Sequence, residues 1–141
     1  MAIKIYIDQG HNPQNPNAGA EGNGFREQDL TFEVGLLLAD FLNANPNYEA
    51  RVSRPTPETV LGTSNVTSLR ARVDDANAWG ADYFISLHMN AAESPLANGA
   101  EAFVYQPMRL QAISCAGSGM IRASAAAAFS CAPACMYSEK R

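Results

Sequence analysis

The chain contains two histidines, His11 and His88, and each follows an apolar stretch that reads as a β-strand. A catalytic zinc takes three protein ligands from His, Glu or Asp and leaves a fourth position for water. If these histidines serve a metal, both are used. The candidate carboxylate is then Glu27, which follows His11 by 16 residues and precedes His88 by 61. Such separations make no local motif, and each residue has a plainer reading beside the metal one. A histidine just beyond a strand is often a solvated or hydrogen-bonded loop residue, and a glutamate in the first turn of a helix is favoured by the helix dipole. The cysteines give a weaker signal. Cys115, Cys131 and Cys135 all fall in the last 27 residues. The C-x3-C pair has no second Cys or His pair to complete a site, so free thiols are expected.

The elements that must position these groups are legible from periodicity. Ile3, Ile5 and Ile7 alternate with Lys4, Tyr6 and Asp8 before Gly10 and a stretch rich in Asn, Pro and Gly, so a strand ends at about Asp8. Over residues 27–44, Leu30, Val34, Leu37, Leu38 and Phe41 recur at helical spacing, which predicts an amphipathic helix with Glu27 in its first turn. Residues 48–54 predict a second strand, and Pro55 and Pro57 open a loop to about Thr67. A second helix is marked by Leu69, Val73 and Ala76, with Thr67 and Ser68 as candidate caps and a stop near Gly80. Residues 83–87 and 99–105 predict two more strands. Strands alternating with helices of this length predict a single α/β domain, a mostly parallel or mixed twisted sheet with helices on both faces. Ligands gather at the carboxyl ends of strands in such sheets, and both histidines occupy that edge.

Composition narrows the classes of function. The chain has 141 residues, 47% hydrophobic and 17% charged, which is a globular balance and the size of one domain. A net charge of -4 with no basic stripe argues against nucleic acid as a partner. No segment approaches the ~18 apolar residues of a membrane span, so no membrane is expected as a partner. Met1 to Asp8 lacks the basic and long apolar regions of a signal peptide, so no such peptide is expected in this sequence. Beyond residue 105 the composition shifts: Ala102 to Ser138 contains no Asp or Glu, and Ala123 with Ala125 to Ala128 forms a low-complexity patch. The expectation is a domain over 1–105 and an atypical tail over 106–141, with a frameshift as one explanation. The tail shows no clear strand, though a helix from about 108 to 128 is conceivable.

The blocks around the histidines carry a resemblance. Ile5 to His11 reads I-Y-I-D-Q-G-H, followed by Gly19-Ala20 and by G-N-G-F-R-E-Q-D-L over residues 22–30. Arg72, Ala76-Asn77 and A-D-Y-F-I-S-L-H-M-N-A over residues 81–91 come next, then Gly99-Ala100-Glu101 with Phe103. Over about the first 105 residues, in order and separation, these blocks resemble the zinc-dependent N-acetylmuramoyl-L-alanine amidases of the family 3 type. Their opening reads as a strand, D-P-G-H, a glycine-rich loop and E-x-D-L. Gln9 stands where the family has proline, a change expected to alter a turn and not a ligand.

The resemblance implies Zn2+ on His11, Glu27 and His88, and hydrolysis in peptidoglycan of the amide between N-acetylmuramic acid and L-alanine. It places the protein outside the cell or at the cell wall, as an autolysin or a phage-type endolysin. It also implies a catalytic glutamate on a strand near the C-terminus, and no residue here matches it, so the family's last elements are expected to be missing. Glu101 matches a family glutamate that is not the base; a structural role is expected, with stand-in catalysis as the alternative. Glu21 and Glu93 are expected to be solvated, and Asn90 is a candidate for meeting the stem peptide. Asp8 is expected either to orient His11 or simply to close its strand. A reading from another class is a zinc-containing peptidoglycan-binding module whose turnover is impaired.

Overall fold

The computed structural model describes residues 1–89, 99–104 and 126–132. In chain order the elements are β1 (Ile3–Gln9), β2 (Glu21–Gly22), β3 (Phe25–Arg26), α1 (Glu27–Asn43), β4 (Tyr48–Val52), α2 (Asn65–Trp79), β5 (Tyr83–His88), β6 (Gly99–Val104) and β7 (Ala126–Ala132). Five strands form one sheet in the order β4-β1-β5-β7-β6, and β2 and β3 form a separate two-stranded ribbon. β1 runs parallel to β4 and β5, β5 parallel to β7, and β6 antiparallel to β7. This is the mostly parallel, mixed sheet of a single α/β domain.

Alternation along β1 explains how both faces are covered. Ile5 and Ile7 join Ala39 of α1 and Leu87 of β5 in the buried core, with Leu38, Leu42, Val52 and Ile85 packed around them. Residues between them point the other way, because successive strand side chains alternate faces. The Tyr6 hydroxyl donates to Asp75 of α2 at 2.7 Å, and its ring stacks on Phe84 at 5.5 Å and meets Trp79 at 6.4 Å. Thus α1 covers the apolar face of β1 and α2 covers its polar face.

Both helices turn inward a stripe that only partly matches their apolar spacing: Leu38 and Ala76 face the sheet as expected, while most of the other marked residues do not. In α1, Val34, Leu37 and Phe41 are exposed, Leu37 by 70% and Phe41 by 76%. The buried positions are Glu27, Gln28, Thr31, Gly35 and Ala39. Small residues win because the helix lies close to β1: a Cβ on Gly35 would sit 2.3 Å from Cγ of Gln9. In α2, Leu69 and Val73 are exposed while Ser68, Arg72 and Ala76 are buried. Its cap also lies earlier than Thr67 or Ser68. Ser64 caps the helix, its Oγ accepting from Thr67 N while the Thr67 hydroxyl accepts from Ser64 N, a reciprocal capping box. Gly80 closes it in the left-handed conformation, φ 75°.

The expectation of no clear strand after residue 105 is corrected by β7. Its alanines have little preference for strands. Its backbone is nevertheless paired on both sides, to β5 and to β6, so tertiary pairing overrides propensity. Residues 108–125 of the alternative helix lie outside the described residues.

Candidate metal centre

β1 and β5 are adjacent and parallel, with Gln9 opposite Leu87, so their carboxyl ends finish side by side. His11 lies two residues beyond β1, and His88 is the last residue of β5. Gly10 links the two ends: its N–H donates to Leu87 O at 2.9 Å. Only glycine fits there, since a Cβ would lie 2.4 Å from that oxygen and 2.6 Å from Cε1 of His88. His11 itself has φ 70°, a conformation rare for a residue with a side chain and one that clusters at functional sites. Glu27 opens α1 over the same edge, delivered by the β2–β3 ribbon, with its N–H donating to Ala20 O at 2.8 Å.

These three residues converge. His11 Nε2, His88 Nδ1 and Glu27 Oε1 form a triangle in which every pair is 3.1 Å apart. Glu27 is fixed further by backbone N–H groups, Met89 donating to Oε1 at 2.9 Å and Ala20 to Oε2 at 3.0 Å. Burial alone would raise the Glu27 pKa. Hydrogen bonds from His11, His88, Ala20 and Met89 outweigh burial and hold the carboxyl well below its ordinary range, so it is ionised near neutral pH. Two imidazole nitrogens facing one ionised oxygen form a donor set of the kind that binds zinc with bonds of ~2.0–2.2 Å. Among the described residues this is the group that could hold a metal ion. Glu27 is only 5% exposed, whereas the rings of His11 and His88 keep 19% and 34%, so the triangle is reachable from one side.

Asp8 does not orient His11. Its Oδ1 accepts from Arg72 Nη1 at 2.5 Å and its Oδ2 from the Ser86 hydroxyl at 2.8 Å, on the α2 face of the sheet. Among the described residues, His11 Nδ1 is buried without a hydrogen-bond partner. Gln9 does more than alter a turn: it is fully buried, its Oε1 accepting from Arg54 N at 2.8 Å and its Nε2 donating to Phe32 O at 3.0 Å.

Glu21 is on β2 and pairs with Arg26 at 3.2 Å. Arg26 also donates to Pro13 O and so ties the ribbon to the loop after β1. Glu101 lies on β6 opposite Ser130, which is itself opposite His88, so the three share one row across the sheet. Asn90, Glu93, Cys115, Cys135 and Glu139 lie outside the described residues.

Several supporting residues carry no periodic or motif signal. Asn12 is fully buried, its Oδ1 accepting from Leu61 N and its amide donating to Pro16 O and Leu61 O. The Thr31 hydroxyl donates to Gly10 O at 2.8 Å. Arg54 is buried, donates to Gln28 O at 2.5 Å and lies over the Phe32 ring. Burial, then the nearby Arg72 charge, pushes its pKa down to about 10, and it remains a cation. A polar residue flanking a ligand, as Asn12 flanks His11, is the one sequence hint available.

Comparison with known proteins bears on what such an edge is for. The amidase CwlM of Bacillus licheniformis is 39% identical over 104 residues, which are 73% of this chain and 36% of that protein. An endolysin of Bacillus phage SPP1 is 30% identical over 105 residues, 74% of this chain and 35% of its own. The chain therefore spans about a third of the length of these relatives. The catalytic domain of CwlV, an N-acetylmuramoyl-L-alanine amidase from Bacillus (Paenibacillus) polymyxa var. colistinus, superposes with a TM-score of 0.63 at 27% identity, covering 74% of this chain and 55% of that one. Residues 5–130 match the family model described as N-acetylmuramoyl-L-alanine amidase, so the chain belongs to that family.

Proposed function

We propose that this chain carries the metal-bearing part of a peptidoglycan amidase, with zinc held by His11, Glu27 and His88. The reaction is hydrolysis of the amide joining the lactyl group of N-acetylmuramic acid to L-alanine. The observation that carries the reading is the 3.1 Å triangle of two imidazole nitrogens and one ionised carboxylate oxygen at the sheet's carboxyl edge. When bound, zinc supplies Lewis acidity toward the scissile carbonyl and the attacking water. The chain's own residues do the rest. Glu27 is kept ionised, Gly10 lets β1 approach the His88 ring, and the exposed side of the triangle leaves room for water and the scissile amide.

Proton transfer to the leaving amine is faster with a positioned acid–base group near the metal, a role a carboxyl can fill. Glu101 is the candidate stand-in, in the same row as His88 and two strands away, ~10 Å at the usual strand spacing. That separation, and the lack of a match to the family's C-terminal glutamate, favours a second reading: a zinc-containing peptidoglycan-binding module with slow turnover. Asn90, two residues after His88 in the sequence, is a candidate contact for the stem peptide.

The relatives named above are an N-acetylmuramoyl-L-alanine amidase and an endolysin, and the proposed place of action is outside the cell or at the cell wall. The proposed partner is peptidoglycan, without nucleic acid or membrane. Among the described residues no helix is long and apolar enough to cross a membrane.

Zinc content and release of L-alanine amino termini from purified peptidoglycan test the two readings. Wild type should hold one zinc per chain and His88→Ala should lose most of it; full occupancy in the variant would refute the ligand set. Release by wild type that His88→Ala abolishes supports the amidase. Wall binding with a bound zinc and release ~10²–10⁴-fold below a variant with a family-like C-terminus supports the module, since that is the usual worth of acid–base assistance.

A further inference from the structure

Arg72 lies on α2, on the opposite face of the sheet from α1, and touches none of the three metal-facing side chains. Its guanidinium is 2% exposed. Nη1 donates to Asp8 Oδ1 at 2.5 Å, to Gln9 O at 2.7 Å and to Ser53 Oγ at 3.3 Å, while Nη2 donates to His11 O at 2.6 Å and to Asn12 Oδ1 at 3.2 Å. Four of the five acceptors belong to residues 8–12, the turn that carries His11. Other ties hold the rest of the turn: Ser86 to Asp8, Ser53, Phe32 and Arg54 to Gln9, Leu87 and Thr31 to Gly10, and Asn17, Pro16 and Leu61 to Asn12. Among the described residues, the His11 carbonyl is held by Arg72, at the residue whose φ of 70° is the least natural in the turn. Rotating that backbone to an ordinary φ would swing the imidazole out of the triangle.

We infer that Arg72 is a positioning residue for the metal centre, clamping the 8–12 turn so that Nε2 of His11 faces His88 and Glu27. The inference rests on the reading of those three residues as zinc ligands. The simpler role for Arg72 is to neutralise buried Asp8, and the two roles separate on chemistry. A lysine keeps the positive charge beside Asp8. It has one nitrogen in place of a planar fork, and it cannot serve Asp8 and the carbonyls of Gln9 and His11 together.

The test uses the 141-residue chain, with zinc affinity from competition against a chromophoric chelator and the visible spectrum of the Co2+-loaded protein. Circular dichroism fixes a temperature at which every variant is folded. Arg72→Lys should bind zinc ~10-fold or more weakly, the usual scale for residues supporting a metal ligand, and its cobalt spectrum should change. Asp75→Asn, on the same helix and bonded to Tyr6 and Arg51, controls for general loosening and should bind as wild type does. A folded Arg72→Lys with wild-type affinity and an unchanged cobalt spectrum would overturn the inference. Should Arg72→Lys fail to fold, Asn12→Ala removes one acceptor from the clamp along with the Asn12 bonds to Pro16 and Leu61, whereas Asn12→Asp keeps an oxygen for Arg72 and loses only the amide donors. A several-fold loss of zinc affinity is expected in Asn12→Ala and not in Asn12→Asp, and wild-type affinity in the first or equal losses in both would overturn the inference. A wild-type chain that takes up no metal would sink the ligand assignment itself and the inference with it.

Discussion

The two faces of β1 are built on different physics. Toward α1, Ile5 and Ile7 meet Ala39 and Leu87, and the contact is apolar. Toward α2, Tyr6 bonds Asp75 and Asp8 bonds Arg72 and Ser86, with Arg72 reaching on to the turn at His11. Apolar contact is non-directional: it stabilises the sheet while tolerating small shifts in how its parts lie. A buried ion pair contributes little net stability, and the five directional contacts of the Arg72 head group, whose Nε alone lacks a partner among the described residues, hold one geometry. The apolar face therefore holds the sheet together, and the polar face sets where its carboxyl edge places His11.

The sharpest way to break this comparison is Asp8→Ala, which strands the buried Arg72 guanidinium. Removing one partner of a buried pair costs about 3–5 kcal/mol, so urea denaturation should show a loss of that size, accompanied by weaker zinc binding in the molecules that remain folded. An unchanged zinc affinity in folded Asp8→Ala would mean that the polar face does not govern the edge.

Ile7→Ala probes the other face. Ile7 is fully buried, and truncation should cost ~2–5 kcal/mol in the same denaturation experiment. Zinc affinity of the folded fraction should not change. If it falls as far as in Asp8→Ala, the division of labour between the faces is wrong.

Tyr6→Phe is the smallest perturbation, removing one hydroxyl and its bond to Asp75 for ~0.5–1.5 kcal/mol. It also carries a pH signature. Burial first, then the hydrogen bond and charge of Asp75, raise the Tyr6 pKa above its ordinary value, so folding favours the neutral phenol. With the folded pKa raised, this contribution is fully present below the unfolded pKa of ~10 and is lost as pH rises beyond it. The stability difference between wild type and Tyr6→Phe should therefore be constant through neutral pH and shrink above pH ~10. A difference that grew with alkalinity would contradict the buried-phenol account.

Several features are legible in the sequence. The ends of β1 and β5, the stop of α1 near Asn43 and that of α2 near Gly80 follow from alternation and from punctuation by Gly, Pro and Asn, which act over a few residues. So did the placement of His11 and His88 at one edge, because parallel neighbours end on the same side. The inward faces of α1 and α2 were not legible in this way. Of the residues their apolar spacing points to, Leu38 and Ala76 do face the sheet, but Val34, Leu37, Phe41, Leu69 and Val73 are exposed, and close approach to the sheet selects Gly35, Ala39 and Ser68 beside them. β7 was hidden for a related reason, since alanines carry almost no strand signal until two neighbours pair with them.

By itself, then, the sequence determined where elements begin and end and which residue types stand at the edge, because those properties are set by neighbours along the chain. Only the tertiary structure decided that Asp8 meets Arg72, 64 residues away, and not His11, and that Glu27 Oε1 arrives 3.1 Å from both histidines. Those contacts depend on how closely α1 and α2 settle onto β1. That distance is fixed by steric fit at Gly35 and by the directional bonds of one buried guanidinium, and neither leaves a periodic trace in the chain.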